Sequence, residues 1–220
     1  PQLEGEDLLL FTEILRSYKR QGFHLPEEKF QRVVSIQKEL TDLQKEIGIN
    51  IDKANKEKIS FTEEEAKGIP TDMLDKITKN DAGEYVISPG IFGQYSPFNI
   101  YSPLEETRKK AFLARQKRAV ESNAILIEKV VRLRAEQAQL LGYRNWADFR
   151  TEIKMAKTGE RALNFITDLT KGIEPKFQSE LAALRKLKIE DTGNANAEIK
   201  SWDFRYYLDQ YKKRVLDVDT

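Results

Sequence analysis

Apolar residues recur at spacings of three and four along most of this chain, a period that selects helices. Leu8, Phe11, Leu15 and Tyr18 fall on one face, and Gly22 after Lys19-Arg20 gives a stop. A second helix opens at Pro26-Glu27-Glu28, with proline in the first turn and acids near the positive end of the helix dipole. Its stripe is Phe30, Val33, Val34, Leu40, Leu43 and Ile47, and it frays over Ile51 to Lys58. Thr62 and Glu65 read as a capping box for a short helix ended by Gly68 and Pro70, and Asp72 to Thr78 as another.

The period then changes. Asn80-Asp81-Ala82-Gly83 is turn chemistry and Glu84-Tyr85-Val86-Ile87 is strand-like. Ser88 to Pro103 reads as a long loop holding Gly90-Ile91-Phe92-Gly93 and the aromatics Phe92, Tyr95, Phe98 and Tyr101. Ser102-Pro103-Leu104-Glu105 predicts a second capping box. The helix it opens reaches Leu141, too far for one unbroken element, so a restart is placed near Glu121-Ser122-Asn123. Asn145 and Thr158 are N-cap residues for the next two helices, and Pro175 should kink or break the latter. Ser201 caps a last amphipathic helix carrying Trp202, Tyr206 and Tyr207. The fold class is therefore all-α, mainly helical with at most one short strand pair.

Composition limits the chemistry. The 220 residues contain no cysteine and one histidine, which excludes disulfides, thiolate catalysis and any two-histidine metal site within this chain. The 37 Lys and Arg against 36 Asp and Glu leave a net charge of +1, which does not fit a general polyanion binder. No apolar run approaches the ~20 residues needed to cross a bilayer. Pro1-Gln2-Leu3-Glu4 shows neither an initiator methionine nor a secretory leader, as expected of a processed or excised piece. Cytoplasm, or an organelle interior such as the mitochondrion, is the expected location.

Each chemically suggestive group has a plainer reading. His24, before the second helix, lacks a nucleophile partner and reads as a turn residue bonded to backbone. Glu63-Glu64-Glu65 could offer oxygen ligands to a hard cation, but three consecutive helical side chains diverge, and the helix dipole explains them. Arg108, Lys109, Lys110, Arg115, Lys117 and Arg118 could track a phosphate backbone; the alternative is a solvated helix surface paired with neighbouring acids. The loop aromatics either line a pocket or anchor the loop. No catalytic and no metal-binding residue emerges, and substrate-binding residues stay unassigned.

Several short segments nevertheless occur in a telling order: Asn123-Ala124-Ile125-Leu126, Leu133-Arg134-Ala135-Glu136, Leu140-Leu141-Gly142-Tyr143-Arg144-Asn145-Trp146-Ala147, Lys154-Met155-Ala156-Lys157-Thr158 and Trp202-Asp203-Phe204-Arg205-Tyr206-Tyr207. With Gly22-Phe23-His24-Leu25-Pro26 they resemble the zinc oligopeptidase family of thimet oligopeptidase and neurolysin over nearly the whole chain. The resemblance implies a helical, two-lobed enzyme whose deep channel admits short peptides and excludes folded proteins. It also implies a zinc-binding H-E-x-x-H helix downstream of the Trp-Asp-aromatic segment, beyond Thr220. The expected role is thus a non-catalytic channel-wall segment of a zinc metallo-oligopeptidase, inactive alone, with zinc held elsewhere in the parent enzyme. A stand-alone helical interaction module or an RNA-associated helical protein are the other readings. The segment is taken as one helical piece over 1–220, with a sub-division at 1–101 and 102–220 as the alternative. Apolar faces lacking their partners should be exposed or covered by a second copy.

Overall fold

A computed structural model describes residues 3–218. Pro1, Gln2, Asp219 and Thr220 lie outside the described residues, so the reading drawn from the opening residues is not addressed. In chain order the elements are α1 (Gly5–Gln21), α2 (Glu27–Lys56), β1 (Ile59–Phe61), α3 (Thr71–Leu74), β2 (Tyr85–Ile87), α4 (Phe92–Ile100), α5 (Glu105–Gln116), α6 (Val120–Leu140), α7 (Trp146–Thr151), α8 (Gly159–Thr192) and α9 (Phe204–Val215). Among the described residues the one sheet is β1 antiparallel to β2, with Ser60 opposite Val86. The all-α expectation with a single short strand pair holds.

The chain forms two compact units that interleave in sequence. One comprises the chain up to Gly48 with Glu121–Leu169; the other comprises Ile49–Val120 with the chain from Thr170 onward. In the first unit Val33, Ile36 and Leu40 of α2 pack with Val130, Ala138, Leu141 and Phe149. Spacings of three and four bring these α2 residues onto one side. Val34, expected in that stripe, is exposed, and Ile36 is fully buried instead. In the second unit the core gathers Phe61, Ile69, Ile77, Ile87, Tyr95 and Phe98, and a smaller cluster joins Leu184 and Leu187 of α8 to Tyr207 of α9.

Local signals place several boundaries as expected. Gly22 ends α1 at φ 92°, a left-handed conformation that glycine adopts without a Cβ clash. Asn145 accepts the Asp148 amide, and Thr158 accepts the Arg161 amide. Other boundaries differ. Thr62 and Glu65 exchange both bonds of a capping box, yet the residues that follow form turns without an α-helix. The Asp72–Thr78 helix shrinks to α3. The break after α5 falls at Lys117–Ala119, with Ala119 at φ 54°, a few residues before Ser122. Pro175 does not end α8. The helix around it is exposed, so the proline disturbs no packed core there.

Three differences have tertiary causes. The expected loop 88–103 contains α4, despite Pro97 inside it. Burial of Tyr95, Pro97 and Phe98, with Phe98 stacked 4.1 Å from Phe61, outweighs the hydrogen bond that proline forfeits. Ser102 does not cap α5: its hydroxyl donates to the Glu65 carbonyl at 3.1 Å. Ser201 likewise cedes the N-cap position of α9 to Asp203, whose side chain caps nothing and turns inward.

The α7–α8 junction is tight enough to test. The Gly159 amide donates to Asp148 Oδ1 at 2.8 Å, and a Cβ on Gly159 would lie 2.7 Å from that of Ala147. Gly159→Val should therefore cost about 1–3 kcal/mol through overpacking, read from urea denaturation. A wild-type midpoint would show that the junction is looser than described.

Candidate functional site

The densest arrangement of functional groups lies in the second unit, where α5, α8 and α9 meet. Arg108 of α5 is 1% exposed and Asp203, just before α9, is 0% exposed. Arg108 Nη2 donates to Asp203 Oδ1 at 2.7 Å, while Nη1 donates to the carbonyls of Ser102 and Pro103 at 3.0 and 2.8 Å. The guanidinium lies 4.3 Å from the ring centroid of Tyr206. Lys188 of α8, also buried, donates to Asp203 Oδ2 at 2.6 Å and pairs with Glu105 Oε2 at 2.9 Å. The other oxygen of Glu105 accepts the Trp202 indole N–H at 3.1 Å. Asn99 of α4 adds amide bonds to the carbonyls of Trp202 and, more weakly, Arg108.

Arg108, Lys188 and Asp203 thus neutralise one another out of water, and the part-exposed Glu105 completes the charge balance at the margin. Burial alone would raise the Asp203 carboxyl, but the bonds from Arg108 and Lys188 outweigh it and hold the group below its ordinary value. Glu105 is lowered in the same way, with burial opposed by Lys188 and Trp202. Burial pushes Tyr206 upward and Tyr207 up to about 12.

A second node ties α1 to the first unit's core. Arg20 Nη1 donates to Glu152 Oε2 at 2.5 Å and lies 4.0 Å over the Phe149 ring; the Tyr143 hydroxyl donates to the same carboxylate oxygen at 2.6 Å. Burial opposes ionisation of Glu152, and the bonds from Tyr143 and Arg20 prevail to lower it. Among the described residues every resolved carboxyl shift is downward and every tyrosine shift upward. These shifts stabilise the resting charge states, opposite to the tuning of an acid or base that works near neutrality.

The residues singled out in the sequence are dispersed. His24 is exposed in the turn between α1 and α2. Glu63, Glu64 and Glu65 pair with three different lysines, Lys79, Lys67 and Lys110. The basic cluster is not one cationic surface. Lys109 and Lys110 pair with Glu106 and Glu65, as expected of a solvated face, but Arg108 is buried and Arg115 donates to the Pro89 carbonyl. Tyr95 and Phe98 anchor the core of their unit, while Phe92 is exposed and meets Tyr95 edge-on. Gly90 abuts Asn55, whose Oδ1 would lie 2.6 Å from a Cβ at that position. A shallow groove of about 450 Å³ in the first unit runs between Glu39, Asp42 and Glu46 of α2 and Lys129 and Arg132 of α6, over Leu43 and Leu133.

The four-residue network was missed in sequence, although two signs of it were present. Lys188 interrupts the apolar stripe of Leu184 and Leu187, and Asp203 sits inside the Trp-Asp-aromatic segment.

Among the described residues no group of three His, Cys, Asp or Glu is placed to hold a metal. With one histidine in the sequence, the residues of this chain do not fit the zinc centre that the resemblance implies. No described helix is long and apolar enough to cross a membrane. The arrangement is a helical fold pinned by buried ion pairs.

Comparison with known proteins shows the family. Residues 98–220, more than half of the chain, match Peptidase family M3, and the chain belongs to that family. It is 31% identical over 230 residues to saccharolysin of Saccharomyces cerevisiae, covering 99% of this chain and 32% of that protein. Oligopeptidase A of Escherichia coli is 30% identical over 218 residues, covering 93% and 32%. The thimet-like oligopeptidase of Dictyostelium discoideum is 28% identical over 211 residues, covering 93% and 30%. The chain therefore spans about a third of the length of these curated relatives.

The network makes a direct prediction. Asp203→Asn would leave Arg108 and Lys188 buried with one carboxylate fewer, a loss of about 3–5 kcal/mol in denaturant titration. Because the Asp203 pKa is depressed on folding, its contribution is complete above the ordinary carboxyl value of about 3.9 and fades as pH falls through the lowered one. The variant should accordingly show a flatter decline in stability below about pH 4. A loss under about 1 kcal/mol would remove the network's structural role.

Proposed function

We propose that this chain is a channel-wall and scaffold segment of a zinc-dependent oligopeptidase that hydrolyses short peptides. The observation that carries the reading is the position of the family-like segments. Tyr143, Asn145, Trp146 and Asp148 build the α1–α7–α8 junction, and Trp202, Asp203, Tyr206 and Tyr207 build the buried network. Segments with that placement shape and hold a wall. The chemistry of peptide hydrolysis, and the zinc that would supply it, belong outside these 220 residues. A cytoplasmic setting suits such an activity, with the mitochondrial matrix as the alternative.

Short peptides would meet this segment through surfaces held rigid by the two nodes, and selection by size would follow from that rigidity. The parent enzyme would thus lose substrate positioning when a node is broken, even with its metal intact.

Two measurements test the reading. The isolated 220-residue chain with added zinc should not hydrolyse a fluorogenic short peptide; zinc-dependent turnover by it would refute the assignment. A longer polypeptide containing this segment together with an H-E-x-x-H helix should cleave the same peptide, lose the activity to a chelator, and leave folded proteins uncut. Absence of cleavage by that polypeptide would favour a non-catalytic helical module.

A further inference from the structure

The basic stretch that begins at Arg108 ends in two arginines of a different kind. Arg108, Lys109 and Lys110 each pair with a carboxylate, of Asp203, Glu106 and Glu65. Arg115 and Arg118, at the end of α5 and just past it, have no carboxylate partner among the described residues and bind neutral oxygens instead. Arg115 Nη1 donates to the Pro89 carbonyl at 2.8 Å and, more weakly, to that of Gly90 at 3.4 Å. Arg118 Nε donates to the Arg115 carbonyl at 2.9 Å, and its Nη1 donates to Asn55 Oδ1. These anchors lie together, because Gly90 abuts Asn55. Two half-buried guanidinium groups are therefore held near one another with no anion between them. Burial, and then the Arg115 charge, lower Arg118 from its ordinary value, and Tyr95 opposes them.

The donors left over are as telling as those in use. Arg115 keeps Nε and Nη2, the side edge of the guanidinium that grips two oxygens at once, and Arg118 keeps Nη2. Tyr95 adds a third group. It is 6% exposed, and its ring centroid lies 4.6 Å from the Arg115 guanidinium. Its hydroxyl has no hydrogen-bond partner among the described residues, although the hydroxyl of so buried a side chain is normally bonded. Neither that hydroxyl nor the spare guanidinium donors are sealed from water, because Arg108 Nε is the described side-chain atom that is both sealed and unpartnered. Two positive charges and four donors are thus open to a ligand in one neighbourhood.

We propose that Arg115, Arg118 and Tyr95 form a binding site for a phosphate group, either free phosphate or a small phosphate monoester. A phosphate monoester carries close to two negative charges and three acceptor oxygens, which matches two guanidinium charges and a hydroxyl donor. A single carboxylate would leave one of the charges unmatched. The balanced charge of the whole chain, +1, fits one small anion and not a polyanion. The site lies wholly within the second unit, and the inference does not depend on the peptidase reading.

Calorimetric titration of the 220-residue chain at constant ionic strength and about pH 8, where phosphate is largely dianionic, tests it. Inorganic phosphate should bind one equivalent per chain, with a dissociation constant of about 1 mM or tighter. Glycerol phosphate distinguishes the two sources: tighter binding than inorganic phosphate supports a monoester ligand, and weaker binding supports the free ion. Acetate should bind at least about tenfold more weakly. Tyr95→Phe removes an oxygen that bonds to nothing in the protein, so it should keep the wild-type unfolding midpoint while weakening phosphate about tenfold. Arg118→Gln should weaken phosphate by about tenfold or more. No saturable binding, acetate bound as tightly as phosphate, or an unchanged phosphate affinity in Tyr95→Phe would each overturn the site. Should Arg118→Gln fail to fold, Tyr95→Phe and the wild-type titrations still decide the matter.

Discussion

The contact between Arg108 and Asp203 joins residues ninety-five positions apart and removes both charges from water. Its energetics dictate what surrounds it. A buried guanidinium needs acceptors for its donors, and the Ser102 and Pro103 carbonyls provide two of them at the start of α5. A buried carboxylate needs donors, and Arg108, Lys188 and the Lys200 amide supply them. Lys188 then requires a second counter-charge, which is Glu105, and Glu105 takes the Trp202 indole. Each demand recruits one more element, until α4, α5, α8 and the start of α9 share one network. Such a network adds less stability than an equal volume of hydrocarbon, but removing one member strands the others.

The near-neutral balance of a highly charged chain finds its explanation here. Most of the ion pairs are exposed and worth little individually, such as Arg132–Glu128 or Lys176–Glu180 along single helices. A few pairs bridge elements at the margin of a core, as Arg32 of α2 does with Glu136 of α6 through two parallel bonds. The nodes at Asp203 and Glu152 are the ones that fix geometry. Asp203 lies within one family-like segment, and Glu152 lies between two others and takes its hydroxyl partner, Tyr143, from one of them.

How much could be read in advance depended on the range of the deciding interaction. Gly22, Asn145 and Thr158 act within one helical turn, and their caps were legible because the residue and its hydrogen-bond partner are near neighbours. The strand at Tyr85–Ile87 was legible from its turn and its β-rich run, whereas its partner Ile59–Phe61 was hidden at the end of a helical pattern. Helix α4 was hidden by Pro97, Gly90 and Gly93, whose local preferences are overruled by burial against Phe61. The basic stretch 108–118 was uniform in sequence and divided in structure, with Arg108 drawn inside and Lys109 left outside.

The sequence by itself determined the helical class, the single strand pair, the absence of a two-histidine metal site and the membership suggested by its ordered motifs, because periodicity and residue counts are properties of the chain alone. Only the tertiary structure decided that Ser102 and Asp203 abandon capping for contacts across the fold, that Arg108 and Lys188 are buried, and that the α1 face is left uncovered. Those outcomes follow from pairings between distant residues, and a charged side chain leaves water only where its partners are brought to meet it.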